Sequence, residues 1–299
     1  MPMPREDRTG YARRRLGSSL RQLREATHRE PDQVSAGLGW PAERLPAIER
    51  GLTGASGEEI GALLEHLGAG PDERAALTEL GRAAVAGPTL SERYRAVLSA
   101  PFAEFLAAEE AARAVRHYEP ILIPGPLQTL EYARAVLSLF APDGEAGPPA
   151  PDAAALRTEA RMARARLLLD DPGVDAQFVV DETALMRAVG TEAGAADVMA
   201  GQLAHLEDLA AAPNISISVA PARAGLYTSL LRSPFVVLEF DDDERLAYFE
   251  HAGGERVVHD RAGALNPVLE AFEQMRRLPA ADDLRAALSR ARAALDPSR

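Results

Sequence analysis

Four side chains are of a type and in positions that suit acid-base chemistry. Glu119 starts an apolar loop, Asp181 and Glu182 stand between a predicted strand and a predicted helix, and His251 follows another predicted strand. Carboxylates and imidazoles transfer protons efficiently when their surroundings bring the pKa close to the working pH. A biosynthetic enzyme using these groups is therefore one hypothesis, although Asp181 is more simply interpreted as a helix N-cap.

Residues that hold metals or cofactors lack the required spacing. The six histidines, at positions 28, 66, 117, 205, 251 and 259, include no pair four residues apart, and the chain has no cysteine. Glycine-rich phosphate loops, a G-x-S-x-G elbow and H-E-x-x-H are absent. The acidic run from Asp241 to Glu244 lacks the glycine and spacing of a calcium loop and predicts a turn. We expect no metal and no cofactor.

The segment YEPILIPGPLQTLEYARAVL, residues 118–137, is the best candidate for a binding site. Pro120, Pro124 and Pro126 restrict the backbone, so its apolar residues can be held against a core at low entropic cost. Gln128 and Thr129 fall at a predicted helix start, where free N–H groups can bind an anion or a carbonyl. A pocket for a ligand or partner would be lined by Tyr118, Glu119, Gln128, Thr129 and Tyr132. Equally open is a purely structural loop in which Glu119 bonds to the backbone.

Composition sets broad limits on the class of protein. The chain has 299 residues, 46% of them apolar, and a net charge of −12. No apolar run approaches the roughly 20 residues that span a bilayer, and the arginine-rich start has no apolar signal segment, so we expect a cytoplasmic protein without a membrane segment. All 33 basic residues are arginine, and neither part of the chain has a strong positive excess. Any DNA contact must come from locally clustered arginines.

The elements that position these residues divide into two predicted parts. Residues 1–86 predict a compact all-α module of five short helices, with an apolar stripe at Leu16, Leu20 and Leu23, a start at Pro31 and a capping box at Ser56. Residues 87–299 predict an α+β domain with a small, mostly antiparallel sheet. Its strands are AQFVVD, ISISV, PFVVLEF and LAYFE, the last two joined by a turn at 241–244. Helices are predicted at about 91–117, 128–140, 198–211, 266–276 and 281–294, with a loop at 141–151. A further helix, containing Leu156, Met162, Leu167 and Leu168, is predicted after that loop.

Several segments resemble a known family. LGSSLRQLREA, LGW and IERG resemble the helix-turn-helix domain of lambda-repressor-like (Xre) regulators. The loop at 118–137, with FVVDETALMRAVG, HLEDLAAAPNISISVAP and SPFVVLEF, resembles the C-terminal domain of a large actinobacterial family of such regulators. That family's loop usually reads PGLLQT, and Pro126 here replaces a leucine. The resemblance implies a transcriptional regulator, often paired with a small acidic partner protein in antitoxin-like or developmental systems.

The residues that would read DNA depart from this family's pattern. Where the family offers Thr-Gln and Ser-Gln-Ser-Lys, this chain has Glu30-Pro31 and then Pro-Ala-Glu-Arg from Pro41 to Arg44. Pro46 would lie inside a recognition helix begun at Pro41, at a cost of about 3 kcal/mol, unless the helix begins at Pro46. We therefore expect a degenerate recognition helix and weak DNA binding, helped by a homodimer, or else a helix-turn-helix reused for docking. The candidate DNA contacts are Arg13, Arg14, Arg21, Gln33, Arg44 and Arg50.

Overall fold

The computed structural model describes residues 9–84, 89–139, 151–190, 194–224, 233–240, 244–251, 253–260, 262–278 and 284–295. The chain forms two compact units, one made of Met1–Arg95 with Ala103–Ala112 and the other of Ala96–Phe102 with Arg113–Arg299. The predicted domain boundary between residues 86 and 87 stays a prediction. Each unit is described separately below.

The first unit is built from helices. They are α1 (Thr9–Ala26), α2 (Pro31–Gly37), α3 (Arg44–Glu49), α4 (Gly57–His66), α5 (Pro71–Ala84) and α6 (Leu90–Arg93), followed in the chain by α7 (Ala100–Glu109). Helix α1 packs against α3 and α5, and its apolar stripe enters a core that includes Leu16, Leu20, Val34, Leu45, Ile48, Ile60, Leu63, Leu64 and Leu77. The apolar periodicity of the sequence therefore predicted the buried face correctly.

Local signals set the starts of these helices. Ser56 accepts the Glu59 N–H at 3.1 Å while the Glu59 carboxylate accepts the Ser56 N–H at 2.7 Å, which is the predicted capping box. Pro31 occupies the first turn of α2, as expected.

The recognition helix α3 differs from the sequence-based expectation. It begins at Arg44, so Pro46 lies in the first turn and not in the helix interior. Backbone N–H groups of a first turn have no intrahelical acceptor, so proline removes no hydrogen bond there. The expected cost of about 3 kcal/mol therefore does not apply. The helix is nevertheless only 6 residues long, shorter than the segment from Pro41 would suggest.

The second unit contains a six-stranded mixed sheet, which corrects the expectation of a small, mostly antiparallel one. Its strands are β1 (Ala114–Glu119), β2 (Asp175–Asp181), β3 (Ile215–Ala220), β4 (Phe235–Glu239), β5 (Arg245–His251) and β6 (Gly254–His259). Their order is β3-β2-β1-β4-β5-β6. Pairs β3-β2 and β2-β1 are parallel, and the pairs from β1 to β6 are antiparallel.

Two strands were not anticipated. β1 replaces the end of the predicted helix at 91–117, because Ala114 to Glu119 pair with β2 on one side and β4 on the other. Such pairing overrides the helix preference of the alanine-rich sequence before it. β6 pairs with β5 at the edge. The parallel pairs arise because long helical segments join β1 to β2 and β2 to β3, and parallel strands need such crossovers.

The helices of the second unit are α8 (Leu130–Leu139), α9 (Pro151–Leu169), α10 (Glu182–Met186), α11 (Ala195–Leu209), α12 (Asn266–Arg276) and α13 (Leu284–Ala294). Helix α12 packs against β1, β2 and β3, where Tyr118, Val179, Phe235 and Phe272 form part of an apolar core. Most of the predicted loop at 141–151 and of the predicted turn at 241–244 lies outside the described residues.

Among the described residues, no helix combines the length and apolar character needed to cross a membrane.

Candidate functional site

The loop after β1 is held by side chains that bond to its backbone. Glu119 Oε1 accepts the N–H of Ile121 at 3.1 Å and of Leu122 at 3.3 Å. The Ile123 N–H donates to the hydroxyl of the fully buried Tyr132 at 3.2 Å. Glu119 thus bonds to the backbone, as the structural interpretation of this loop predicts, and its second carboxylate oxygen makes no hydrogen bond among the described residues.

Gln128 and Thr129 also serve the loop. The buried Gln128 donates to the Ile123 carbonyl at 2.7 Å and accepts a hydrogen bond from Arg161 at 2.8 Å. Thr129 Oγ1 accepts the Tyr132 N–H at 3.2 Å and so caps α8. These contacts link the loop to α9 through Arg161.

Gln202 on α11 is a further loop residue that the sequence did not indicate. It is fully buried, its Oε1 accepts the Thr129 N–H at 2.8 Å, and its Nε2 donates to the Leu127 carbonyl at 2.7 Å. A lone glutamine in a helical pattern carries no local signal of such a long-range contact. Only the fold brings α11 to the loop.

The predicted pocket residues divide between the two faces of the sheet. Tyr118 lies in the core against Phe235, with ring centroids 5.5 Å apart, on the face that α12 covers. Successive strand residues alternate between faces, so Glu119 and His117 lie on the other face. Tyr118 therefore does not share a pocket wall with Glu119.

Two more carboxylates share the Glu119 face. Tyr118, Phe235 and Phe249 are paired in a row across β1, β4 and β5, so Glu119 and Glu250, each one residue further on, are level with one another two strands apart. Glu250 is paired directly with Glu255 on β6. Like charges in directly opposed positions are destabilising. The sheet thus concentrates three carboxylates on one face.

Two arginines of α9 reach the same face. Arg161 and Arg164 lie one helical turn apart, which places both on one side of α9. The Arg164 guanidinium lies 5.6 Å from the ring centroid of Phe102, and that ring packs edge-on against Tyr248 at 5.6 Å. Tyr248 hydrogen bonds to Glu255, which also contacts Ser99. We call Glu119, Glu250, Glu255, Arg161 and Arg164 the charged cluster.

Burial shifts the proton affinities of this cluster. It raises the pKa of Glu119 to about 7, with help from the nearby Glu250 charge and against the bonds from Ile121 and Leu122. Burial and the Glu255 charge raise the pKa of Glu250, while Arg161 and Arg164 oppose this. Burial lowers the pKa of Arg161 as well. The directions of these pKa shifts indicate that burial disfavours the charged forms more than the opposite charges of the cluster stabilise them.

His117 lies beside the cluster and is 6% exposed. Burial lowers the pKa of its imidazole to about 3, and the Arg164 charge acts in the same direction. Its Nδ1 has no hydrogen-bond partner among the described residues. A neutral imidazole carrying an unmatched nitrogen is thus enclosed on the Glu119 face.

The other acid-base candidates occupy different settings. Asp181 caps α10 by accepting the Thr183 N–H at 2.9 Å, as its position predicts. Glu182 is buried, accepts the Ala222 N–H at 2.8 Å and bonds to Arg290 on α13 at 2.6 Å. His251 is exposed at the end of β5, where its Nδ1 accepts the Gly253 N–H at 3.0 Å. The structure does not gather these three residues around Glu119.

The side chains that commonly bind metals do not form a candidate metal site among the described residues. Among the described residues, no group of three or more His, Asp or Glu side chains converges as metal ligands.

In the first unit, Arg44 is engaged by acceptors of its own unit. Its Nε and Nη2 bind Glu59 at 2.9, 2.7 and 2.8 Å, its Nη1 donates to Thr53 at 3.1 Å, and Nη2 also donates to the Gly54 carbonyl at 3.0 Å. Partial burial opposes ionisation of Glu59, but the Ser56 N–H and Arg44 outweigh it and lower the pKa of Glu59. The guanidinium that could read guanine is therefore bound by its own protein.

The remaining candidate DNA contacts are also partly engaged. Arg13 is buried and donates to the Ala84 carbonyl at 2.9 Å, and Arg21 pairs with Glu25 at 2.8 Å. Gln33 accepts the Glu30 N–H at 3.2 Å, and the exposed Arg50 donates to the Pro46 carbonyl at 3.1 Å. The side chain of Arg14 lies outside the described residues. Whether these side chains contact DNA stays a prediction.

An open groove of about 720 Å³ lies between α8 and α9. Leu130, Leu137 and Met162 give it an apolar lining, and Arg134, Arg157 and Arg166 make its rim basic, with Glu159 opposing them. Arg161 is not among the residues that line this groove.

The helices of the first unit, with α2 and α3 in sequence, define a helix-turn-helix protein, and residues 15–77 match the family described as "Helix-turn-helix domain". This domain supports assignment of the chain as a DNA-binding regulator. Residues 102–289, more than half of the chain, match the family described as "Domain of unknown function (DUF5753)", and the chain belongs to that family. Comparison with curated proteins and with solved structures gives no match.

Proposed function

We propose that the protein is a transcriptional regulator in which the helix-turn-helix unit binds DNA weakly. The C-terminal domain would bind a small ligand or partner and so set DNA affinity. The helix-turn-helix match and the intact helical core support the first part. Membership of the actinobacterial Xre class with antitoxin-like relatives is part of this proposal, as are a homodimer and the cytoplasmic location that access to DNA requires.

The strand order of the second unit supports the binding role. Strands β2 and β3 lie on one side of β1, and β4 to β6 lie on the other, so the order reverses at β1. In open α/β sheets, ligands bind in the crevice at the carboxyl ends of parallel strands where the order reverses, and here β1 and β2 are parallel while β4 runs antiparallel to β1. The carboxyl end of β1 carries Glu119 and the loop that Gln128, Arg161 and Gln202 hold. This is the observation that carries the proposed binding role.

The pairing of Arg44 supports weak DNA binding. Specific readout needs a guanidinium that is free to donate to guanine, and Arg44 donates to Glu59 instead. In the segment just before α3, Pro41 and Ala42 offer no hydrogen-bonding side chain, and the exposed Glu43 would repel phosphates. Affinity then depends mainly on phosphate contacts, which are sensitive to salt.

The test is fluorescence anisotropy with a duplex from the DNA upstream of the protein's own gene. We expect binding at low ionic strength that weakens steeply between about 50 and 200 mM salt and differs little from binding to a shuffled duplex. Tight, sequence-selective binding near physiological salt would contradict the degenerate reading face. Absence of binding at every salt concentration would contradict the DNA-binding proposal itself.

A second candidate is an interaction protein whose helix-turn-helix no longer binds DNA. The groove between α8 and α9 favours it, because three arginines around an apolar lining suit an acidic partner that presents apolar side chains. Capture of a small acidic protein encoded nearby, reduced by Arg134→Glu and unchanged by Arg50→Glu, is the expected result. Equal capture by both variants would exclude this groove as the docking site.

A further inference from the structure

The charged cluster contains both cationic hydrogen-bond donors and anionic acceptors that lack partners among the described residues. Among the described residues, Arg161 makes one hydrogen bond, from Nη1 to Gln128, although a guanidinium carries five N–H donors. Within the same part of the chain, Glu250 forms no hydrogen bond or ion pair, and Glu119 accepts through Oε1 only. Donors and acceptors therefore remain without partners among the described residues.

These opposite charges do not form an ion pair with one another in the described structure. Arg161 influences the proton affinity of both Glu119 and Glu250, so it lies near them, but no described contact within ion-pair distance joins it to either one. Glu119 and Glu250 stand two strands apart, which corresponds to about 10 Å between their backbones. Between them at the start of β4 is the half-buried Pro234, which has no side-chain donor or acceptor. Pro234 therefore offers no polar side chain to Glu119 or Glu250.

The members of the charged cluster and their neighbours differ in exposure. Glu250 is exposed, Glu119 and Arg161 are half-buried, and Arg164 and Tyr248 are buried. The buried His117, two residues before Glu119 on β1, is on the same face, and its Nδ1 has no hydrogen-bond partner among the described residues. Glu250 is therefore the carboxylate of the cluster that is most accessible from solvent.

We propose that the charged cluster binds a small zwitterion such as a free amino acid. The ammonium group of the ligand lies between Glu119 and Glu250, and its carboxylate accepts from the unused donors of Arg161. Carboxylate-guanidinium and ammonium-carboxylate contacts are charge-assisted and are the strong hydrogen bonds of protein sites. The ligand would thus supply a cationic donor for the two carboxylates and an anionic acceptor for the guanidinium. This inference rests on the ligand-binding part of the proposed function and names its ligand class.

The test uses the full chain without DNA. Each proteinogenic L-amino acid is screened by thermal shift at millimolar concentration, and any that shifts the melting temperature is measured by isothermal titration calorimetry. Propylammonium and propionate, which carry only one of the two charges, are screened in parallel. We expect at least one amino acid to bind, and both single-charge compounds to bind at least about tenfold more weakly.

Substitutions assign the binding to this cluster. Glu250→Gln and Arg161→Gln are each expected to weaken binding by about tenfold or more, whereas Glu270→Gln and Arg277→Gln, at exposed positions elsewhere in the unit, leave it unchanged. If circular dichroism shows that Arg161→Gln disturbs folding, the result for Glu250→Gln decides alone, because the Glu250 side chain makes no hydrogen bond or ion pair among the described residues. Binding that survives Glu250→Gln overturns the assignment.

Proton release gives an independent readout. An ammonium group beside Glu119 favours its ionised form, so binding near neutral pH expels part of a proton. The apparent binding enthalpy should then depend on the ionisation enthalpy of the buffer, and this dependence should vanish in Glu119→Gln. Failure of every amino acid to bind, or equal binding by propylammonium, would overturn the zwitterion proposal. Neither outcome depends on DNA binding, which is measured separately.

Discussion

Arg44 and Glu59 form a two-pronged ion pair, with Arg44 Nη2 at 2.7 and 2.8 Å from the two carboxylate oxygens and Nε at 2.9 Å from one of them. Glu59 is also the third residue of α4 and closes its capping box. One carboxylate therefore stabilises a helix start and engages the only cation in the first turn of α3. The residue that completes the predicted capping box therefore also engages the arginine proposed to contact DNA.

Replacing Glu59 by glutamine should free Arg44 and strengthen DNA binding. Glutamine keeps the capping box, and a partly exposed ion pair is worth no more than about 1 kcal/mol, so the fold should persist. We expect tighter binding in fluorescence anisotropy and a slope of log affinity against log salt steeper by about 1. The matched control is Glu58→Gln, on an exposed residue of the same turn. Equal effects of the two variants would mean that only net charge matters.

Gly17 is required by the close approach of α1 to α3. A Cβ at this position would lie 2.5 Å from the Ile48 carbonyl oxygen and would also collide with the Glu49 carbonyl. Backbone atoms cannot move aside cheaply, so Gly17→Ala should destabilise the protein by about 1 to 3 kcal/mol in denaturant unfolding. Gly61→Ala, in open space within α4, should instead stabilise it by about 0.5 to 1 kcal/mol. An unchanged stability for Gly17→Ala would argue against this helix contact.

Gln202 should be necessary for the structure of the loop. Gln202→Leu leaves the Thr129 N–H and the Leu127 carbonyl without their partners, at an expected cost of about 2 to 5 kcal/mol. Hydrogen exchange of the Thr129 amide should accelerate as well. Gln274→Leu, at an exposed position of α12, should change stability by less than about 0.5 kcal/mol. Slow exchange at Thr129 in Gln202→Leu would show that another group holds the loop.

The pH dependence of stability should contain two opposed contributions. Because the pKa of Glu119 is raised from 4.5 to about 7, the folded state holds this proton more tightly, and stability falls as pH rises through that window. Because the pKa of His117 is lowered from 6.5 to about 3, stability falls as pH drops through that window. In the pH range where both groups contribute, the Glu119 contribution to stability falls as pH rises, while the His117 contribution increases.

Variants separate the two contributions. Relative to the wild type, Glu119→Gln should gain stability as pH rises from about 4.5 to 7, on the order of 3 kcal/mol in total. His117→Gln should gain relative stability as pH falls below about 6.5. The measurement is chemical unfolding of each variant and the wild type at matched pH values. A difference that does not vary with pH would contradict the assigned cause.

Some features of this protein could be predicted from local sequence alone. The apolar stripe of α1, the Ser56 capping box, the start of α2 at Pro31 and the Asp181 cap depend on residues within one or two helical turns. Such signals act over short distances, so they are readable without a fold. Together, these local signals predicted the helical first part of the chain and the α+β class of the second part.

Tertiary structure alone decided the strand at Ala114 to Glu119, the mixed sheet order and the placement of the charged cluster. β1 forms because β2 and β4 pair with it, although its local sequence continues a helical pattern. Glu250 comes level with Glu119 through strand pairing, and Gln202 meets the loop from 73 residues away. These contacts depend on packing between distant segments, for which the order of residues carries no local signal.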